Sequence, residues 1–199
     1  MLIYIHGFNS SPASIKAQLL GQYLSEHHPE IDYQIPELSH WPEQAMQQLC
    51  ELIESAATEQ VTLIGSSLGG YYSTWLTERF ENCRSVLVNP AVRPYELLAE
   101  WLGENQNLYT TERYELTPQH LQQLVAIDCP NITRSDRYLL LTQTADETLD
   151  YRQAVEKFSD SPQFVQPGGS HGFDRFQDLI PAILAFADGR IELPDATPC

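Results

Sequence analysis

Residues Gly65-Ser66-Ser67-Leu68-Gly69 match the pattern G-x-S-x-G, with Ser67 at its centre. They follow the apolar run Val61-Thr62-Leu63-Ile64 and precede a run of helix formers and aromatics, the strand-turn-helix context in which this pattern forms a nucleophile elbow. The serine of an elbow sits in a sharp, strained turn, where a side chain two positions before or after it would collide with neighbouring backbone; Gly65 and Gly69 remove both. The turn also presents the Ser67 hydroxyl at a helix N-terminus, where free N–H groups and the helix dipole favour negative charge. Ser66 occupies the variable position and shapes the turn.

A serine hydroxyl is a weak nucleophile at neutral pH and needs a base within hydrogen-bond reach, itself oriented by a third group. Of the six histidines, His27 and His28 end a predicted helix, and His40 and His120 lie in polar loop or cap segments, so these four read as surface residues. His171 differs, because it lies in PGGSHGF between the last predicted strand and the final predicted helix. Functional residues of an open α/β sheet collect at the carboxyl ends of its strands, which is where both Ser67 and His171 fall. For the acid, QTADETLDY offers Asp146, Glu147 and Asp150 after the fifth predicted strand. Asp146 comes first after the strand and its turn, whereas Glu147 and Asp150 also read as solvated first-turn acids of the next helix. The chain order Ser67, Asp146, His171 is that of the α/β-hydrolase fold. The fourth predicted strand ends in VNPAVRP and carries no carboxylate there.

The tetrahedral intermediate of acyl transfer needs preorganised donors, and backbone amides serve best. One is expected from Leu68 N–H, directly after the nucleophile, and the other from Phe8 N–H in HGFNSSP, which follows the first predicted strand and is similar to the His-Gly motif of lipases and esterases. His6 then shapes the loop. No pair of histidines has metal-binding i, i+4 spacing, so neither a metal nor another cofactor is expected.

Six strands are predicted to position these groups, at 2–5, 31–35, 61–64, 85–89, 137–142 and 163–166, with helices over 12–26, 42–57, 68–80, 149–159 and 173–187. That alternation predicts an α/β fold, with βαβ units around a mostly parallel sheet of about six strands flanked by helices. The connection between the fourth and fifth strands is longer than a crossover requires and is rich in Leu, Tyr and Trp, which predicts an ordered helical cap over about 91–127 with an apolar underside. Residues 1–187 read as one domain, and 188–199 as a tail on the surface.

A formal net charge of −16, from 27 acids against 11 bases, repels nucleic acid and anionic membrane faces. The N-terminal apolar run is too short for a signal peptide or a membrane span and has no basic flank, so a cytoplasmic location is expected. The four cysteines form no C-x-x-C pair and read as reduced thiols.

The stretches YIHGFNSSP, GSSLGGYY, VNPAVRPYELL, DETLDYRQA and GGSHGF together resemble the YqiA/YcfP-type family of small α/β-hydrolase esterases, along the whole chain up to the tail. The resemblance implies a compact hydrolase lacking the first two strands of larger members, with esterase activity and Ser67, Asp146 and His171 as its triad. The expected function is hydrolysis of a small-molecule carboxylic ester or thioester through an acyl-enzyme, and the rival reading is a silent hydrolase scaffold that holds a ligand or partner protein. Residues of the 95–125 segment, with Phe8 and Tyr71, are expected to line an acyl pocket. An acyl-CoA would need a local basic patch, for which Arg93 and Arg113 are the candidates, and the overall charge favours neutral esters.

Overall fold

In the computed structural model, described for residues 1–56 and 59–199, apolar segments form the strands, the central ones buried on both faces and the two edge strands only partly buried. These are β1 (Leu2–Ile5), β2 (Tyr33–Gln34), β3 (Val61–Ser66), β4 (Cys83–Val88), β7 (Tyr138–Gln143) and β8 (Gln163–Gln166). They make one parallel sheet in the order β2-β1-β3-β4-β7-β8. A parallel sheet must be covered on both sides. The pleat divides β1 accordingly: Leu2 and Tyr4 face one cluster with α1 (Ile15–His27) and α7 (Ile180–Ala187), while Ile3 and Ile5 face the other with α2 (Pro42–Ser55) and α3 (Leu68–Arg79). A third cluster joins Leu87, Tyr138 and Leu140 to α6 (Tyr151–Lys157).

The expected strand at 31–35 shortens to two residues, since it pairs only at the edge through Leu2 and Ile3. The expected helix over 42–57 is seen to Ser55, and its last residue, 57, lies outside the described residues. The final expected helix divides into a 3₁₀ turn, Phe176–Leu179, and α7, where Pro181 stands in the first turn without needing an N–H donor.

The insertion after β4 departs further from expectation. It holds α4 (Pro94–Leu98), a 3₁₀ turn (Ala99–Trp101), an antiparallel hairpin of β5 (Gly103–Gln106) and β6 (Arg113–Leu116), and α5 (Pro118–Ala126). The hairpin replaces expected helix because its polar strands are held from outside: Asn9 Nδ2 donates to Asn105 Oδ1 at 3.1 Å, Tyr114 OH to Asn9 Oδ1 at 2.6 Å and Asn107 Nδ2 to Ser10 O at 2.8 Å. Asn107 Oδ1 closes its turn by accepting from the N–H groups of Tyr109 and Thr110. His120, expected on the surface, is fully buried: its ring stacks on Trp41 at 3.7 Å and closes a capping box with Thr117. Residues 190–199 carry no helix or strand, yet they lie against the sheet end, with Gln166 Nε2 donating to Thr197 O and Cys199 N to Pro167 O.

The order of strands reverses beside β1: the chain leaves β1 for β2 on one side and returns to β3 on the other, so the loops after β1 and β3 diverge and leave a crevice. Because Ile5 pairs with Gly65, both loops begin at the same height. Helix α3 must then cross close above β1, and a Cβ on Gly69 would stand 1.9 Å from the Ile5 carbonyl oxygen. Gly69→Ala should therefore cost at least the ~1–3 kcal/mol typical of overpacking, read as a lower denaturant midpoint with unchanged slope.

Candidate active site

Ser67 lies between β3 and α3 with φ 55° and ψ −119°, a positive-φ conformation that residues other than glycine rarely adopt. Such strain costs of order 1–3 kcal/mol and persists only where surrounding bonds enforce it. Here Ser67 N donates to Val88 O at 3.1 Å, and Ser67 O accepts from Gly70 N at 2.9 Å and Ala91 N at 3.0 Å. The elbow is thus tied to β4 and to its own helix. Gly65 is required as well, since a Cβ there would meet Gly69 O at 2.5 Å.

The structure brings Ser67, His171 and Asp146 together. Ser67 Oγ lies 3.1 Å from His171 Nε2, and His171 Nδ1 lies 3.0 and 2.9 Å from the two carboxylate oxygens of Asp146. A carboxylate only accepts, so Nδ1 carries the proton and Nε2 is free to accept from the serine hydroxyl. Asp146 is held in turn by the N–H groups of Thr148 and Leu149, which donate to its Oδ1 at 2.9 and 2.8 Å. Its side chain is 1% exposed.

The neighbouring acids have other partners. Glu147 Oε2 accepts from the backbone N–H of His171 at 2.9 Å, and that bond is the main cause of a Glu147 pKa below the ordinary carboxylate value. Asp150 caps α6 and forks with Arg152.

Two buried amide side chains that the sequence reading passed over hold the His171 loop. Asn89 leaves β4 with φ 41°, donates from Nδ2 to the carbonyls of Ser170 (2.9 Å) and His171 (3.2 Å), and accepts from Gln143 N at 3.0 Å. Gln143, at the end of β7, accepts from Ser170 N at 3.0 Å and Asp174 N at 2.9 Å, and donates to Asp174 O and Gln166 Oε1. The Asn-Pro pair after a strand was the available signal for Asn89, because asparagine tolerates positive φ and proline ends pairing. Nothing local marks Gln143.

Across the crevice, Gly7 packs on the elbow, where a Cβ would come within 3.1 Å of Ser67 Cβ. His6 is buried, with Nδ1 donating to Gly7 O at 3.1 Å and Nε2 accepting from Leu38 N at 3.4 Å. Burial depresses its pKa and favours the neutral ring that this donor-acceptor pattern requires. The Phe8 and Leu68 N–H groups have no hydrogen-bond partner among the described residues.

Ser67 and His171 open into a cleft of about 340 Å³, whose apolar walls include Phe8, Ile15, Leu108 and Tyr109 and whose polar wall includes Tyr4, Ser14 and Lys16. Tyr71 is not among the lining residues: it is buried in the core and donates to Leu124 O. Arg93 and Arg113 also lie elsewhere, the first beside Glu96 and the second on the hairpin. Among the described residues, no group of three His, Cys, Asp or Glu side chains is arranged to hold a metal ion, and no helix is long and apolar enough to cross a membrane.

The sheet order, the elbow at a strand end and the flanking helices define an α/β-hydrolase fold. Solved structures agree: mouse alpha/beta hydrolase domain-containing protein 10 is similar at 17% identity and TM-score 0.69, over 94% of this chain and 88% of its own. Est1E from Butyrivibrio proteoclasticus matches at 15% identity and TM-score 0.67, over 93% and 85%. The esterase domain of a Rhodothermus marinus protein matches at 13% and 0.63, over 94% and 84%. The model of the "Uncharacterised protein family (UPF0227)" matches residues 1–188, and the chain belongs to this family, that of YqiA and YcfP.

Gln143→Leu would orphan several buried polar groups, each worth about 1–3 kcal/mol when left unpaired. It should lower unfolding free energy by about 2 kcal/mol or more, and hydrogen exchange should show lost protection at Ser170 and Asp174 N–H.

Proposed function

We propose that the protein is a serine esterase that hydrolyses small-molecule carboxylic esters or thioesters through an acyl-enzyme. The observation that carries this reading is the unbroken hydrogen-bond chain from Ser67 Oγ through His171 to Asp146, at an elbow that opens into a cleft.

In the proposed cycle Ser67 Oγ attacks the carbonyl carbon while His171 Nε2 takes its proton. Asp146 keeps the Nδ1 proton in place and stabilises the imidazolium. Negative charge builds on the former carbonyl oxygen, to which the Phe8 and Leu68 N–H groups donate in this proposal, the latter aided by the dipole of α3. Because these amides are fixed by backbone, they need little reorganisation as the charge appears. Collapse of the intermediate returns the proton from Nε2 to the departing alcohol or thiol, and the acyl group remains on Ser67. Water activated by the same imidazole then releases the acid. The strain at Ser67 serves this chemistry by lifting Oγ clear of the helix, into the cleft.

A fluorophosphonate probe should add one adduct per chain, on Ser67, and Ser67→Ala should abolish it; a wild-type protein that gains no mass beside a reactive control hydrolase would overturn the proposal. Asp146→Asn should lower kcat for a p-nitrophenyl ester by about four orders of magnitude, as loss of the orienting carboxylate does in other triads. Near wild-type turnover would remove Asp146 from the orienting role.

A further inference from the structure

The N-terminus of α1 meets the same cleft and is built against the usual preferences of a helix. Ser14 is its N-cap, a position from which a serine hydroxyl ordinarily accepts a first-turn N–H, yet no such bond forms. Ser14 is 8% exposed and lines the cleft, and its Oγ has no partner of normal hydrogen-bond geometry among the described residues, although the Tyr4 hydroxyl stands beside it. The N–H groups of the first turn have no intrahelical acceptor. No acidic residue occupies that turn, where carboxylates are favoured, even though the chain has 27 of them. Lys16 stands there instead.

A lysine at the positive end of a helix is repelled by the dipole and, when partly buried, loses hydration as well. Lys16 nevertheless turns its ammonium into the cleft and spends one N–H on the Gly172 carbonyl at 2.9 Å. It forms no ion pair with a carboxylate among the described residues. Its remaining donors, the Ser14 hydroxyl and the start of α1 thus offer positive potential and hydrogen-bond donors with nothing on the protein to receive them. Helix N-termini so equipped bind anions.

The side of the cleft follows from the anchor. Gly172 is next to His171, the group that hands its proton to the leaving group in the proposed cycle. The substrate atoms nearest Lys16 therefore belong to the departing alcohol or thiol rather than the acyl chain.

We infer that Lys16, Ser14 and the N-terminus of α1 form a subsite for an anionic group, carboxylate or phosphate, on the leaving-group side of the substrate. The inference rests on the esterase reading above. It also revises the expectation of a neutral ester: a chain this acidic repels anions at long range, and the cleft opposes that field locally. Asp146, His171, His6 and the Tyr4 and Tyr109 hydroxyls are the titratable groups that share the cleft with Lys16 or act on it. Burial pulls its pKa down to about 8. The ammonium is charged below that value, so preference for an anionic leaving group should hold near neutrality and fade as pH rises past 8.

The test compares 3-carboxyphenyl butyrate with 3-carbamoylphenyl butyrate, which differ chiefly in charge. The wild type should favour the carboxylate, and the ratio of the two kcat/KM values should fall roughly 10- to 100-fold in Lys16→Met, the worth of one charge-assisted hydrogen bond. Lys16→Arg should recover part of it, and Ser14→Ala, which leaves Lys16 in place, should lower the ratio several-fold. Equal losses on both esters in Lys16→Met would make Lys16 only a brace for the His171 loop and overturn the subsite. Dependence on Lys16 for mono-4-nitrophenyl adipate against 4-nitrophenyl hexanoate, but not for the first pair, would overturn the leaving-group assignment. Free phosphate and methyl phosphate should compete with the carboxyphenyl ester and less so with its amide; failure of both to do so would confine the subsite to carboxylates. Titration calorimetry of Ser67→Ala with 3-hydroxybenzoate and 3-hydroxybenzamide reads the subsite without turnover. If the wild type hydrolyses neither ester while this binding preference persists and depends on Lys16, the esterase reading fails and the subsite stands; absence of the preference overturns the subsite itself.

Discussion

Helix α3 begins directly above the end of β1, at a separation that only a glycine at position 69 permits. The parallel pairing of Ile5 with Gly65 sets that separation, and several features follow from it. Elbow and first loop start at one level, so the Leu68 and Phe8 amides come to border the same crevice. Gly7 is pressed against Ser67, and the serine has no room to relax from its positive-φ backbone. Hydrophobic burial on both faces of the sheet supplies the energy, but it is non-directional. The backbone close approach converts it into a defined position for one oxygen atom.

The far side of the site is organised by different means. His171 lies in a loop with few apolar anchors, and side-chain amides take the place of packing. Asn89 and Gln143 rise from adjacent strand ends, β4 and β7, and each engages both that sheet edge and the loop. Buried amides satisfied at every atom act directionally in a low-dielectric surrounding, which fixes orientation as well as place. Glu147 adds a bond to the His171 backbone, while Asp146 takes the ring. Two adjacent carboxylates thus divide one histidine between them.

Legibility in the sequence followed the range of the forces involved. The elbow could be read from five residues because its glycines answer to crowding within the turn itself. Strands β1, β3, β4 and β7 could be read because burial on both faces demands apolar runs, and β8 from the short apolar pair Phe164-Val165. The choice of Asp146 over Glu147 could only be ranked by position, since their separation into ring partner and backbone partner depends on the path of a loop 25 residues away in the chain. The hairpin in the insertion was illegible: Gly103-Glu104-Asn105-Gln106 has little strand propensity, and its pairing is stabilised by Asn9 and Ser10, 96 and 97 residues before their partners in the chain. His120 looked like a surface residue for a similar reason, because the ring that covers it belongs to Trp41. Tyr71 is expected in the pocket on the general ground that ligand sites are mainly apolar, but the turn of α3 carries it round to the core.

The bonds from Asn9 and Ser10 to the hairpin start one and two residues beyond Phe8. The part of the fold free to vary in shape is thereby fastened to a part that must stay still. Insertions of this kind are usually treated as exchangeable modules, able to drift or be grafted to change what a hydrolase accepts. In this chain the insertion and the loop after β1 are one structural unit: replacing residues 103–116 without Asn9 would free the loop that carries the Phe8 amide, and a graft would have to bring its own loop with it.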